Sequence, residues 1–253
     1  MGAGSAGAAL AARLAEQDPA LTVLLLEAGG SDDVLNIDVP AAAIKLQRKA
    51  ESDWLYQTEP QTHAHTNMQD SRGNWPRGKV MGGSSSLNYM LFVRGAPADF
   101  DSWAASGAGE EWSFKSLLPY FQRLENIRAE ENDVPASPLR GTAGPMPCRT
   151  IISPQPATRA FLDAAAASGH LPANPDYNAE SIFGVGTAQY NVKGGKRFNT
   201  STAYVAPALL TRQNLHGQLC RRSENSNAQR GGGGRGIVLH GVRQLLTAVL
   251  FAS

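Results

Sequence analysis

The opening of the chain, Gly2-x-Gly4-x-x-Gly7, constrains it most, because it runs directly into Ala8-Ala9-Leu10-Ala11-Ala12-Arg13-Leu14-Ala15-Glu16. Alanine and leucine are strong helix formers, and Leu10 and Leu14, one turn apart, predict the buried face. Asp18-Pro19 should end the helix, since a residue before proline is pushed out of the α region. Thr22 to Glu27 then reads as a buried parallel strand, a short apolar run bounded by turn signals, with Ala28-Gly29-Gly30 as the turn after it. In such a unit the first glycine permits a tight turn and the second lets backbone approach a pyrophosphate. The third permits close helix–strand packing, and the helix start presents unpaired N–H groups and a positive dipole end. Glu27 lies 20 positions after Gly7, where an acid that binds ribose hydroxyls is expected. Gly2, Gly4, Gly7 and Glu27 therefore predict a dinucleotide site, against the plainer reading of a glycine-rich helix start. Such a fingerprint ordinarily follows a strand, and only Met1 precedes Gly2, so the sheet is expected to be incomplete.

A second glycine–serine cluster reads Trp75-Pro76-Arg77-Gly78-Lys79-Val80-Met81-Gly82-Gly83-Ser84-Ser85-Ser86-Leu87-Asn88. Gly73 to Lys79 fits G-x-x-x-x-G-K, but Val80 stands where a phosphate loop needs a Mg²⁺-binding Ser or Thr. With the opening fingerprint and Leu24 to Gly30, this cluster resembles the glucose-methanol-choline (GMC) oxidoreductases, especially their choline dehydrogenase-like and glucose dehydrogenase-like members. The resemblance continues through Asn88 to Gly95, Asp99-Phe100-Asp101, Trp112-Ser113-Phe114, Leu118 to Phe121, Thr200 to Tyr204 and Pro207-Ala208-Leu209. It runs from residue 2 to about 216.

The resemblance implies an α/β fold, an incomplete FAD-binding Rossmann-like domain with part of the substrate-binding region, lacking its first strand and its C-terminal half. It implies FAD as cofactor, with Gly2, Gly4, Ser5, Ala6 and Gly7 on the pyrophosphate and Glu27 on the adenosine ribose. Arg77, Gly78, Val80, Gly82, Gly83 and Ser84 would pass along the flavin. Asn88, Tyr89, Met90 and Leu91 would line its ring near the reactive edge. Some relatives attach FAD through a histidine just before that asparagine; Leu87 stands there, so a non-covalent FAD is expected. The implied activity is hydride transfer from the CH–OH group of a small alcohol to FAD. The family's proton-accepting histidine lies near the C-terminus, and none of His63, His65, His170, His216 or His240 sits in that motif. No catalytic residue is assigned, and the alternative is an inactive fragment without stable FAD.

Three regions are expected: 1–135 with the FAD-binding segments, 136–216 as a partial substrate-domain and return region, and a divergent tail, 217–253. Residues 135 to 156 read as a Pro- and Gly-rich connecting loop. Helices are expected near 41–48, 99–103, 113–124 (Ser113 capping, Phe114, Leu117, Leu118 and Phe121 as the apolar stripe) and 157–168, with a helix start or turn at 201–210. Trp54, Tyr56, Trp103, Trp112 and Phe114 read as packing residues rather than substrate contacts.

The tail contains Arg230-Gly231-Gly232-Gly233-Gly234-Arg235-Gly236 and lacks periodicity, so disorder is expected there. Its arginine–glycine composition resembles nucleic-acid-binding segments, but it is short and without interleaved aromatics. With a net charge of +1, no nucleic-acid partner is expected. Cys148 and Cys220, the only cysteines, have no metal-type spacing with the histidines, so no metal site is predicted. His63 and His65 would share one face if their stretch were a strand. The longest terminal apolar run, Leu245 to Ala252, is too short to cross a bilayer, and no signal-peptide pattern opens the chain.

Overall fold

The computed structural model describes residues 2–128, 134–150, 155–211 and 215–219; the region 220–253, with most of the tail, lies outside the described residues. The first unit is helix α1 (Ser5–Gln17), followed by strand β1 (Val23–Glu27). The helix stops at Gln17, with Asp18 extended, as the Asp-Pro pair predicts. Its buried face is Ala8, Ala11, Ala12 and Ala15, not the leucines: Leu10 is 48% exposed and Leu14 only half-buried. The correction has a simple cause. Methyl side chains let the helix axis come close to the sheet, and the longer leucines are left on the flank.

Short elements follow: helices α2 (Leu35–Asp38) and α3 (Ala43–Leu46), and a two-residue ladder of β2 (Tyr56–Gln57) with β3 (Asn74–Trp75). Helix α4 (Pro97–Trp103) leads to α5 (Phe114–Leu124), where the Ser113 hydroxyl accepts the Ser116 N–H at 3.3 Å, the cap expected from the sequence. Phe100, Phe114 and Phe121 cluster between these helices. Trp54 stacks on Tyr56, and Trp103 meets Trp112 edge-on, all four at the surface. His65 sits in a turn at φ 55°, so His63 and His65 do not lie on a strand.

The expected loop at 135–156 is partly ordered into strands. β4 (Glu125–Asn126) pairs in parallel with β5 (Met146–Pro147). β6 (Arg149–Thr150) pairs antiparallel with β7 (Gln189–Tyr190), beyond helix α6 (Pro156–Ala167). Beneath them lies a group of buried charges. Glu125 accepts Arg94 Nε at 2.5 Å and Nη2 at 2.7 Å, and Arg140 Nε at 2.8 Å; Arg140 also pairs with Asp176. Two guanidinium groups thus face two carboxylates, and Gln189 and Asn178 bond into the same network. Cys148 lies fully buried beside it.

A hairpin of β8 (Val192–Lys193) and β9 (Lys196–Arg197) precedes the irregular turns Ser201–Val205 and helix α7 (Ala206–Thr211). The chain then returns as β10 (Leu215–Leu219), which pairs in parallel with all of β1, Val23 opposite Leu215 through Glu27 opposite Leu219. Regular pairing therefore continues three residues past the point where the tail was expected to diverge. The main core joins α1, β1, β10 and the 201–211 segment through Leu25, Tyr204, Val205, Ala208 and Leu215.

Candidate functional site

At the start of α1, Gly4 occupies the N-cap position in an extended conformation and supplies no side-chain cap. The first N–H groups of a helix have no intrahelical partners, and Ser5 and Ala6 are exposed there while Gly7 is half-buried. Glu27, at the end of β1, is 6% exposed. Its carboxylate accepts the Ala3 N–H and the Gly29 N–H, each at 2.9 Å. A carboxylate has about four acceptor sites, so capacity remains for a hydroxyl donor.

The second glycine–serine cluster docks onto this turn. The Gly82 N–H donates to Ala3 O at 2.8 Å, and the Met81 N–H to Gly30 O at 2.9 Å. Gly83 has φ +57°, and a Cβ there would stand 2.5 Å from Gly4 Cα; one on Gly29 would stand 2.0 Å from Lys79 O. These glycines are required by contact between the two motifs. Gly2 and Gly4 differ. A Cβ on either would meet its nearest neighbour at ordinary contact distance, Glu27 Oε2 at 3.9 Å from Gly2 and Gly83 Cα at 4.0 Å from Gly4, so protein packing does not require a glycine at either position. Uncrowded glycines beside helix-start N–H groups and a buried acid fit a phosphate-bearing nucleotide.

The remaining predicted residues spread along the same path. Arg77 is exposed, stacked over Trp75 at 5.3 Å, with its N–H on Asp53 Oδ1 at 3.0 Å. The Gly78 N–H donates to Ser84 Oγ at 3.1 Å. Val80 belongs to a small core with Ile37, Leu46 and Leu87. Asn88, Tyr89 and Leu91 are exposed, while Met90 is buried at φ 61°. Met90 lines a cavity of about 870 Å³ together with Pro147, Arg149, Tyr190, Val192 and Phe198. The cavity reaches the Gly194–Gly195 turn of the β8–β9 hairpin, and of the predicted residues Met90 lines it.

Several residues of the site carry no motif in the sequence. Asp53 is 2% exposed; burial pushes its carboxyl pKa up, but N–H donors from Arg48, Arg77 and Leu55 outweigh this and bring it below the ordinary carboxylate value. Asn199 donates to Ser86 Oγ at 2.9 Å and to Asp32 Oδ2 at 3.0 Å, and the Thr200 N–H donates to Ser85 Oγ at 3.0 Å. Arg197, 4% exposed, donates to Ser85 O and Ile37 O, each at 2.9 Å. Burial lowers its pKa to about 10, so it remains a cation at neutral pH. Its Nη2 finds no acceptor among the described residues. Ser85 and Ser86 are thus held by a segment more than a hundred residues away, which no local pattern announces.

A glycine-built helix start, a buried acid closing the next parallel strand and a second glycine turn laid across both define an α/β nucleotide-binding unit. The chain belongs to the GMC oxidoreductase family, whose model matches residues 2–221. It is 44% identical over 216 residues to an uncharacterised GMC-type oxidoreductase of Mycobacterium tuberculosis, covering 85% of this chain and 39% of the relative. It is 40% identical over 210 residues to the oxygen-dependent choline dehydrogenase of Vibrio vulnificus, covering 82% and 35%. Among solved structures it resembles pyridoxine 4-oxidase from Mesorbium loti, with a TM-score of 0.75, 35% identity and coverage of 86% and 41%. It also resembles an FAD-dependent oxidoreductase from Chaetomium thermophilum, with a TM-score of 0.72, 28% identity and coverage of 86% and 37%. The chain spans about two-fifths of the length of these relatives. GMC oxidoreductases are FAD-dependent enzymes. Among the described residues, no helix is long and apolar enough to cross a membrane.

Proposed function

We propose that this chain is the cofactor-binding portion of an oxidoreductase that acts on the CH–OH group of a small alcohol, and that it holds FAD non-covalently. The observation that carries this reading is the meeting of Gly4 with Gly83, which joins the two motifs at the helix start, while protein contacts do not require a glycine at position 2 or 4. The first-turn N–H groups of Ser5, Ala6 and Gly7 would bond the diphosphate, aided by the helix dipole. Glu27 would accept the ribose hydroxyls, having lone pairs to spare. Arg77, Gly78, Val80, Gly82, Gly83 and Ser84 would run along the flavin, with Asn88, Tyr89, Met90 and Leu91 near its reactive edge. Bound FAD supplies the hydride acceptor for an alcohol carbon. Leu87, buried in the small core with Val80, offers no nucleophile for a covalent link.

The division into 1–135, 136–216 and 217–253 belongs to the same proposal, with the first region carrying the cofactor. No described histidine is assigned as a proton acceptor, so turnover by this chain alone is not expected. FAD affinity should also be modest, because β1 has one strand partner, β10, among the described residues. FAD titrated into the purified chain, followed by flavin fluorescence, should show saturable binding. Acid precipitation should leave all flavin in the supernatant. No saturable binding would favour the second reading, an inactive fragment without stable FAD; flavin retained in the pellet would refute the non-covalent link.

A further inference from the structure

Asn88 is exposed, yet the orientation of its side chain is dictated from beneath by a buried arginine. Its Oδ1 accepts the Met90 N–H at 2.9 Å and Arg197 Nη1 at 2.9 Å. An amide oxygen has two lone pairs, so both are occupied. Arg197 has no acceptor capacity at all, which forbids the reversed amide: turning it would aim an NH₂ group at a guanidinium and at a backbone N–H. The only polar group that Asn88 can present to a ligand is therefore its Nδ2 donor pair. The Met90 N–H held by the same oxygen belongs to a non-glycine residue at φ 61°, a conformation that L residues avoid. Met90 O in turn accepts the Asn191 N–H at 2.8 Å, so the strained turn is clamped at both of its backbone groups.

We infer that Arg197 is a positioning residue: it fixes Asn88 as a hydrogen-bond donor toward the flavin and holds Met90 in its left-handed conformation beside the ring. The inference rests on the FAD reading for the identity of the ligand. The chemistry is directional. A buried cation polarises the Asn88 amide, so Nδ2 becomes a better donor to a ring nitrogen or carbonyl oxygen, and best to one that gains negative charge on reduction. Arg197 reaches this position because its Nε and Nη1 are already tied to Ile37 O and Ser85 O, leaving little freedom in the long side chain.

Two measurements on the full chain test this. Hydrogen exchange of the Met90 amide in the ligand-free chain should show protection that falls at least tenfold in R197M and in N88A. It should be partly rescued in R197K and persist in N88D, whose carboxylate can still accept both bonds. With asparagine labelled by ¹⁵N, the Asn88 side-chain amide resonance, identified by its loss in N88D, should move on FAD addition. N88D, which keeps the shape but loses the donor, should bind FAD at least tenfold more weakly. If R197M proves unfolded, R197K and the exposed-site variants N88A and N88D still decide the matter. Unchanged Met90 protection in N88A, or FAD affinity in N88D equal to the parent chain, would overturn the inference. A parent chain that binds no FAD would overturn the cofactor reading instead; the exchange experiment needs no ligand and would then judge Arg197 by itself.

Discussion

Two regions of this molecule hold distant segments together by opposite means. At the start of α1 the segments around Gly4, Gly29 and Gly83 are joined by main-chain hydrogen bonds and by glycines whose missing Cβ atoms let backbones touch. Around Glu125 the segments are joined by charged side chains, Arg94, Arg140, Glu125 and Asp176, buried so deeply that only Asp176 retains much surface, at 8% of its side chain. The first arrangement brings the helix start of α1 beside glycines at positions 2 and 4 that protein contacts do not require. In the second, opposite charges neutralise one another and are withdrawn from any ligand. The proposed binding surface lies where backbone does the joining, and a buried charged base lies where side chains do.

The sharpest way to break that contrast is at Glu125. Glu125→Gln leaves two buried guanidinium groups short of a charge partner, and breaking a buried pair in this way costs about 3–5 kcal/mol. Urea unfolding should show that loss, while FAD affinity per folded molecule should change little. Next comes Gly83→Ala, which places a Cβ 2.5 Å from Gly4 Cα at φ +57°. The strain should cost about 1–3 kcal/mol, and, unlike the Glu125 change, it should lower FAD affinity together with stability. Gly4→Ser separates the two effects. Serine is a good N-cap and meets no protein atom closer than ordinary contact. Melting temperature should therefore hold or rise slightly, while FAD binding weakens at least tenfold as the hydroxymethyl group takes the position proposed for the diphosphate.

The last effect is confined to alkaline pH and concerns Cys148, so it is the smallest near neutrality. Burial above all, with the charge of Glu125, pushes its thiol up to about 12 from the ordinary value of 9.0. Above pH 9 the unfolded chain releases this proton and the folded chain keeps it, so stability falls as pH rises from 9 toward 12. The loss should be at most about 1.4 kcal/mol for each pH unit. In a Cys220→Ser background, a thiol reagent should label Cys148 only once denaturant opens the fold. Labelling of the native chain at the unfolded rate would show that the charged base does not stay buried in the native chain.

The same two regions divide what was legible in advance. The fingerprint turn, α1, β1, the Ser113 cap and the helices near 97–103 and 156–167 follow from local rules of propensity, capping and chain reversal, which act within a few residues. The buried face of α1 was misjudged because size, not hydrophobicity, decided which side could approach the sheet. β5 and β6, in the segment expected as loop, belong to two-residue ladders too short to show an alternating pattern. The residues of the candidate site divide in the same way. Gly2, Gly4, Gly7 and Glu27 could be read from spacing alone, because a turn and a helix start are built from neighbours in sequence. Arg197, Asn199, Asp53 and the Glu125 charges could not, since each acquires its partners only when segments far apart in the chain are packed together. The amino-acid sequence by itself determined a glycine-rich nucleotide turn and its acid. Tertiary structure alone decided that Gly83 would close on Gly4 and that Asn88 would face outward as a donor, because steric fit and hydrogen-bond polarity are properties of packed surfaces and not of neighbouring residues.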